Sequence, residues 1–384
     1  MKQKCIKIFF FLIHTRPFFL WLQGIAGADV RYESGADSCG SHFIIYGSYG
    51  FMGEKVLVTG STGFIGTRVV DALLKQGLAV RVLLRPESVS PGFSEGRDGV
   101  EECRAGYRDP EALGRAVTGV QRIIHLAGVT RALNAEGFAE GNVMPVENLL
   151  DAARMHNPAL ERFLLVSSLT AAGPASSPEP GVRESDPPHP VSDYGRSKLL
   201  GEQAAWRHAG TVPVTIVRPP AVYGPGDKDV LEVFRMMRRG YLVSTGSAVR
   251  QRFSMIHVDD LVAGILTAVR SEVAAGGTYF LTSPHAYGWD EVMDAARPVL
   301  GFGRLLRISL PAPLVFGLGT ILGAVAGLFG KSALINRDKA FELVQDYWTC
   351  SPEKAAKELG FTAAIPLAEG IASTLQWYQR RGLL

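Results

Sequence analysis

The chain has 384 residues, of which 47% are hydrophobic and 20% are charged, a composition typical of a globular protein with a large apolar core. A formal net charge of only +3 excludes the broad positive field that nucleic-acid binding requires. The four cysteines, Cys5, Cys39, Cys103 and Cys350, form no CxxC pair, so neither a metal site nor a disulfide framework is expected. This cysteine usage favours a reducing, cytoplasmic compartment.

The first 51 residues differ from the rest of the chain. Three lysines precede an apolar run at 8–13, and a second apolar run follows at 18–22. Polar residues and a proline interrupt the two runs, which disfavours both a signal peptide and a spanning helix. We interpret residues 1–51 as an extension upstream of a true start at Met52. A membrane-targeting segment is the alternative.

From residue 55 onward, short apolar runs alternate with amphipathic helical segments. Strands are predicted over 55–59, 80–84, 122–126, 163–167 and 214–217, and helices over 64–76, 110–118, 143–155 and 194–207. This alternation predicts an α/β fold, a Rossmann-type doubly wound parallel sheet with helices on both faces. Short segments near 254–257 and 278–282 are predicted to return to the same sheet.

The pattern becomes less regular after residue 222, which suggests a second lobe. The Rossmann domain is predicted over 52–222 plus about 251–284, and a smaller C-terminal substrate lobe over about 223–250 and 285–384. Ligands of such sheets bind beyond the carboxyl ends of the strands, so the lobe is expected to cover the site.

A glycine-rich turn, residues 59–66, follows the first strand and opens the first helix, with its glycines spaced as GxxGxxG. Gly60 permits a tight turn, Gly63 lets a pyrophosphate approach the backbone, and Gly66 lets the helix pack closely on the strand. Backbone N–H groups at the helix start would face the anion, which predicts a dinucleotide site; a purely structural turn is the alternative. The residues expected to contact the cofactor here are Gly60, Thr62, Gly63, Phe64, Ile65 and Gly66.

The residues at the end of the second strand indicate whether the cofactor is NAD or NADP, because they would contact its ribose. An acidic residue there would bind the 2′-hydroxyl of NAD. Leu84 holds that place instead, and Arg85 follows it, so a guanidinium stands where a 2′-phosphate could bind. This arrangement favours NADP, with NAD as the alternative. The other interpretation of Arg85 is a solvated charge after a strand.

Tyr194 and Lys198 lie four residues apart, so on a helix their side chains share one face. A nearby ammonium stabilises phenolate, and the pKa of Tyr194 is therefore expected to fall toward working pH. The tyrosine could then exchange a proton with a substrate oxygen while hydride moves. Ser168 ends the preceding strand and could hydrogen-bond the same oxygen.

Together these residues resemble the extended short-chain dehydrogenase/reductase superfamily, in its NAD-dependent epimerase/dehydratase branch, over nearly all of 53–300. The matching motifs are Thr59–Gly66, His125–Gly128, Asn142, Ser168, Tyr194–Lys198, Arg218–Gly226 and His257–Leu261. The resemblance implies an NAD(P)-dependent enzyme, catalytic roles for Ser168, Tyr194 and Lys198, and cofactor contacts from Leu126, Ala127, Gly128, Tyr194 and Lys198. It also implies a homodimer as one arrangement.

Departures from the family pattern narrow the chemistry. Leu169 and Thr170 replace the carboxylates with which sugar dehydratases perform elimination, so dehydration is not expected. Ala221 replaces an asparagine that contacts nucleotide-sugar diphosphates, and the small residues 171–173 suggest a roomy, apolar pocket. These features are similar to the 3β-hydroxysteroid dehydrogenase-like branch. Thr170, Arg218 and Ala221 are the candidate substrate contacts.

The expected function is therefore hydride transfer at a CH–OH/C=O carbon of a small or lipophilic substrate. A nucleotide-sugar epimerase, which would cycle the same hydride internally, is the first alternative. A non-catalytic nucleotide-binding protein is the second, and it is disfavoured because such proteins typically lose the tyrosine or the lysine.

Residues 310–330 form an uncharged stretch of 21 residues in which Gly319, Gly323 and Gly327 repeat at four-residue spacing. The favoured interpretation is a helix or helix pair packed within the substrate lobe and split by Pro313 and the glycines. Contact with a membrane is the alternative, which would make the cytoplasmic protein membrane-associated.

Overall fold

The computed structural model describes residues 53–88, 93–94, 96–245, 250–328 and 336–384. The predicted extension, residues 1–51, lies outside the described residues, as does Met52. Its two interpretations therefore stay predictions.

A seven-stranded, wholly parallel sheet forms the centre of the fold. In chain order, the described strands are β1 (Lys55–Thr59), β2 (Ala79–Leu84), β3 (Val100–Arg104), β4 (Arg122–His125), β5 (Arg162–Val166), β6 (Val214–Arg218), β7 (Ala221–Tyr223), β8 (Tyr241–Thr245), β9 (Arg252–His257), β10 (Thr278–Phe280), β11 (Ala286–Tyr287), β12 (Leu306–Leu310) and β13 (Tyr347–Trp348). The sheet order is β10-β6-β5-β4-β1-β2-β3. The reversal of chain order between β1 and β4 is the switch point at which such folds bind dinucleotides. The expected Rossmann-type sheet is confirmed.

Helices pack on both faces of this sheet. They are α1 (Phe64–Lys75), α2 (Pro110–Val117), α3 (Ala135–Asn142), α4 (Met144–His156), α5 (Leu169–Ala172), α6 (Asp193–Arg207), α7 (Leu231–Arg238), α8 (Val258–Arg270), α9 (Trp289–Leu300), α10 (Ala312–Leu328), α11 (Arg337–Leu343), α12 (Glu353–Leu359) and α13 (Leu367–Arg380), with a short 3-10 turn at Glu272–Ala274. The predicted helices and the five predicted main strands agree with the structure to within one residue at each end.

Two apolar clusters explain why the central strands read as continuous hydrophobic runs. Val56 and Val58 of β1 point into a core shared with α1 and α8, whereas Leu57 points into a second core shared with α2, α4 and α6. Because neighbouring residues of a strand face opposite sides, a sheet covered on both sides needs apolar residues at every position.

Two sheet predictions need correction. The segment near 254–257 does not return to the central sheet, because β9 pairs with β7, β11 and β13 in a separate sheet. The 278–282 segment does return, as β10 beside β6. Strand β3 was not predicted from the sequence. Its Val-Glu-Glu-Cys-Arg run is half-exposed at the edge of the sheet and therefore lacks an apolar pattern.

The C-terminal residues build their own core. The aromatic and aliphatic side chains of α7, α9 and α13 pack together with those of β7–β9, and Tyr378 at the centre is completely buried. Tyr378 donates a hydrogen bond to the carbonyl of Asp227 at 2.8 Å, which ties α13 to the loop before α7. The division of the chain into a Rossmann domain and a substrate lobe stays a prediction.

Residues 310–330 contain the expected helix, which packs on α11 through one side, but the expected split at Pro313 and the glycines is wrong. They contain one uninterrupted helix, α10, with Pro313 in its first turn, where a missing backbone N–H costs little. One side of α10 is exposed, with Ile321 at 62%, whereas Val315 is 4% exposed and Phe316 packs on Phe341. In the described part of the chain, no helix is both long and apolar enough to cross a bilayer.

The glycine turn generates a stability prediction. A Cβ at Gly66 would lie 2.1 Å from the Gly60 carbonyl oxygen, whereas a Cβ at Gly317 of α10 would meet nothing within 4 Å. We expect Gly66→Ala to lower the free energy of unfolding by roughly 1–3 kcal/mol through overpacking. The matched helix variant Gly317→Ala should be neutral or stabilising by up to about 1 kcal/mol. Urea denaturation of the two variants measures both, and equal midpoints would contradict the proposed close approach.

Candidate active site

The glycine turn packs closely against the residues that follow β4. Gly60 adopts a left-handed φ of +68°, and a Cβ there would lie 2.7 Å from the amide nitrogen of Ala127. The turn closes where the Gly63 amide donates to the Gly60 carbonyl at 3.1 Å. Only glycine permits both the φ and the approach, so the roles expected for Gly60 and Gly66 match the geometry.

The start of α1 fits an anionic ligand. Gly63 is the N-cap and offers no side-chain hydrogen bond to the first-turn amides. Thr62 and Gly63 are exposed, while Phe64 and Ile65 are half-buried. Uncapped N–H groups at a helix start, together with the helix dipole, form a site for a pyrophosphate. These residues therefore fit the dinucleotide that the sequence predicts.

The segment after β4 lies beside the turn and is held by two side chains. The Ala127 amide donates to Thr59 Oγ1 at 3.2 Å. Asn142 accepts from the Val129 amide at 2.8 Å and donates to the Val129 carbonyl at 3.0 Å. Leu126, Ala127 and Gly128 thus line the same edge as the turn, as the resemblance implied. A Cβ at Gly128 would lie 2.7 Å from Asn142 Oδ1.

Ser168, Tyr194 and Lys198 meet at the carboxyl end of β5. Ser168 caps α5 and hydrogen-bonds the hydroxyl of Tyr194, and its Oγ also accepts from Thr170 Oγ1 at 2.9 Å. The Lys198 ammonium donates to the Val166 carbonyl at 2.9 Å, and burial lowers its pKa to about 8, against an opposing effect of Glu202. The structure therefore brings the three predicted catalytic residues together.

The expectation about the phenol's acidity is wrong. Burial, the larger cause, and the Glu342 carboxylate together raise the pKa of Tyr194 to about 12, against the opposing effect of the hydrogen bond with Ser168. The physical reason is that burial disfavours phenolate, while the Lys198 ammonium is engaged with a backbone carbonyl. The structure holds Tyr194 as a protonated phenol at neutral pH.

Two carboxylates from the short helix α11 hold the start of α6, and the sequence reasoning missed both. Asp338 accepts from the backbone amide of Asp193 at 2.5 Å, and Glu342 accepts from the hydroxyl of Ser192 at 2.6 Å. Negative charge at a helix N-terminus is favourable, so these residues stabilise the first turn of the helix that carries Tyr194. They lie 145 and 150 residues away in sequence, and no local motif marks them.

The candidate substrate contacts have different positions. Thr170 is half-buried beside Ser168, and Ala221 is exposed on β7. Arg218 is 5% exposed, and its guanidinium pairs with Glu202 at 2.9 and 2.5 Å. Because this guanidinium is buried and paired with a carboxylate, its position gives no support to a substrate contact, and that role of Arg218 stays a prediction.

Arg85 is exposed directly after β2, at the edge where the turn lies. Its charge lowers the pKa of Tyr107, although burial dominates and raises that pKa to about 12. Tyr107 in turn hydrogen-bonds the hydroxyl of Thr59, the residue that begins the turn. Arg85 therefore lies on the cofactor side of the sheet, as an arginine that contacts the ribose requires.

Comparison with known proteins identifies the family. A family model described as the NAD dependent epimerase/dehydratase family matches residues 56–281. The chain belongs to this family. Its members include dehydrogenases, reductases and epimerases, so the expected class of enzyme, an NAD(P)-dependent oxidoreductase or epimerase of the extended short-chain type, is confirmed.

Individual relatives span most of the chain. A ceramide reductase of Caulobacter vibrioides is 33% identical over 341 residues, covering 88% of this chain and 95% of the relative. The crystal structure of gox2253 superposes with a TM-score of 0.70 at 24% identity, covering 86% of this chain and 99% of the other. A UDP-glucuronic acid 4-epimerase from Bacillus cereus, in complex with NAD, gives a TM-score of 0.66 at 19% identity, covering 85% and 99%. The two structures support the fold.

The carboxylate of Glu342 generates a pH prediction. Glu342→Gln removes a negative charge that raises the pKa of Tyr194, so that pKa should fall. Alcohol oxidation needs phenolate and gains rate as pH rises, so its rising limb should move to lower pH. Each unit by which the pKa falls raises the phenolate fraction about tenfold. The pH profile of kcat/KM for oxidation measures the shift.

The matched control is Glu111→Gln, on an exposed first turn of α2. It should leave the profile unchanged. A Glu342→Gln profile that is lowered at every pH without moving along the pH axis would mean that the residue is only structural.

Proposed function

We propose that this enzyme is a reductase that transfers hydride from NADPH to the carbonyl carbon of a lipophilic substrate. The observation that carries the proposal is the meeting of Ser168, Tyr194 and Lys198 at the carboxyl end of β5, where a Cβ at Gly128 would lie 3.8 Å from the Lys198 ammonium nitrogen. A pKa of about 12 suits a group that donates a proton to a newly formed alkoxide, whereas oxidation would need a phenolate.

Each catalytic side chain has a role in this reaction. The bound nicotinamide supplies the hydride. Tyr194 donates its proton to the carbonyl oxygen, and Ser168 hydrogen-bonds the same oxygen as negative charge develops on it. Lys198, with a pKa of about 8, is mostly protonated at neutral pH and is the residue we assign to the cofactor ribose.

The residues that follow Ser168 support a lipophilic substrate. Leu169, Ala171 and Ala172 follow Ser168 and are buried, so the segment carries none of the carboxylates that a dehydratase needs for elimination. The relative named ceramide reductase matches nearly its whole length, and a ceramide is a lipid. We assign the cover of this pocket to the C-terminal lobe, from which α11 reaches Tyr194.

The choice of NADPH over NADH is part of the proposal and depends on Arg85. The guanidinium is exposed, and no carboxylate follows β2 at the place where NAD-binding members of this fold hold the ribose 2′-hydroxyl. An arginine there can form charge-assisted hydrogen bonds to a 2′-phosphate.

Replacing the phenol tests the chemistry. Tyr194→Phe should keep the affinity for NADPH and lower kcat for carbonyl reduction by about 100- to 10,000-fold, because the proton donor is lost. Nucleotide binding is measured by fluorescence titration of the full chain, and turnover with a panel of lipophilic ketones alongside UDP-sugars.

Tyr241→Phe, on β8 and away from the turn, serves as the control and should leave both quantities unchanged. Unaltered turnover in Tyr194→Phe would remove the proposed mechanism. A dinucleotide that stays bound through purification, with interconversion of UDP-sugars, would favour the epimerase alternative instead.

Arg85 supplies the cofactor test. Arg85→Ala should weaken NADPH binding by about 10- to 100-fold, the loss expected for a hydrogen bond to a charged group, and leave NADH binding unchanged. Arg154→Ala, an exposed arginine on α4, is the matched control. If the unaltered enzyme binds NADH more tightly than NADPH, the assignment of NADPH is wrong.

A further inference from the structure

Helix α10 presents an apolar face to solvent, although it belongs to a folded lobe. Leu314, Leu318, Ile321, Leu322 and Val325 are 41–62% exposed. Their spacing places them along one side of the helix, because residues three, four, seven and eight apart share a face. An exposed apolar stripe of this kind marks a surface that contacts something other than water.

The opposite side of α10 packs against α11. The ring of Phe316 meets that of Phe341 at 4.9 Å between centroids, and a Cβ at Gly319 would lie 2.8 Å from the Asn336 carbonyl oxygen. The helix thus packs on α11 through its glycines and Phe316, and the five exposed aliphatic side chains are directed away from the protein.

The charges around α10 indicate what covers it. From residue 295 to residue 337 the sequence holds five basic residues and no acidic one, although the whole chain has 40 basic and 37 acidic residues. Four of the basic residues, Arg297, Arg304, Arg307 and Arg337, lie in the described segments on either side of the helix, and the fifth, Lys331, is outside the described residues. Arg297 and Arg307 pair with Asp294 and Asp290, exposed pairs that other anions can readily replace.

We propose that α10 lies in the plane of an anionic bilayer surface, with its apolar face among the acyl chains and the flanking basic residues at the headgroups. An uncharged apolar face between cationic flanks is the pattern of interfacial helices. A second copy of the chain fits less well, because a two-fold contact through α10 would bring the same basic flanks together.

If the proposed function holds, this position gives a lipid substrate a short path from the membrane to helix α6, which carries Tyr194. An open groove of about 400 Å³ lies between α10, α11 and the start of α6, lined in part by Leu133, Gly323 and Phe341. Asp193, at the start of α6, lies at the same groove and immediately precedes Tyr194. A helix docked on lipid would hold the mouth of this groove at the membrane surface.

Vesicle binding by the full chain tests the inference. We expect cosedimentation with vesicles of phosphatidylcholine mixed with phosphatidylglycerol, and weaker binding to phosphatidylcholine alone. The triple variant Leu318→Gln, Ile321→Gln and Leu322→Gln should lower partitioning at least tenfold while its thermal unfolding and short-chain ketone reduction stay unchanged. The control, Met155→Gln with Val273→Gln, changes exposed apolar residues elsewhere and should bind like the unaltered chain.

Three results would overturn the proposal. The first is a triple variant that binds vesicles as well as the unaltered chain, which would assign binding to the N-terminal extension or another surface. The second is an unaltered chain that does not bind vesicles. The third is a fall in molar mass on light scattering caused by the triple substitution, which would mean that α10 pairs with a second copy. Vesicle binding without any carbonyl turnover would instead contradict the proposed function, while the proposal that α10 binds a membrane surface would still hold.

Discussion

The buried carboxylate of Glu202 holds the catalytic helix against the sheet, and the geometry of the site depends on it. It accepts hydrogen bonds from Arg218, at the end of β6, and from Ser167, directly after β5, so α6 is fastened to the ends of two neighbouring strands. Lys198 lies one turn earlier and reaches the Val166 carbonyl. Removal of one partner from a buried ion pair typically costs about 3–5 kcal/mol, which makes this contact a structural requirement. Arg218, which the sequence offered as a candidate substrate contact, is the partner of Glu202 in this ion pair.

The other end of α6 is held by the C-terminal residues. Asp338 binds the first backbone amides of the helix, and Glu342 binds the hydroxyl that caps it. Tyr194 therefore stands where the central sheet and the C-terminal helices meet. Burial and the Glu342 charge together keep its phenol protonated. The electrostatics of the site consequently suit proton donation, and this ties the C-terminal helices to the chemistry as well as to the cover of the site.

Apolar residues occur both at the candidate site and on the exposed face of α10. Leu169, Ala171 and Ala172, which follow Ser168, are small or aliphatic and buried. The groove at the start of α6 is lined on one side by α10, whose outward face is aliphatic. The lipophilic substrate and the lipid-facing helix are separate proposals. They are compatible, because a helix docked on a membrane would bring the enzyme close to a substrate dissolved in that membrane. The family shows the class of chemistry, and the lipophilic class of substrate belongs to the proposed function.

Local pattern alone determined the nucleotide turn, the alternating strands and helices, and the pairing of Tyr194 with Lys198, because backbone periodicity and i, i+4 spacing are properties of neighbouring residues. Tertiary structure decided the rest. It buried Arg218 in an ion pair, brought Glu342 from 150 residues away, and moved the pKa of Tyr194 upward. It also left one face of α10 in solvent. Burial and charge proximity depend on which distant segments come together, and a linear pattern does not contain that information.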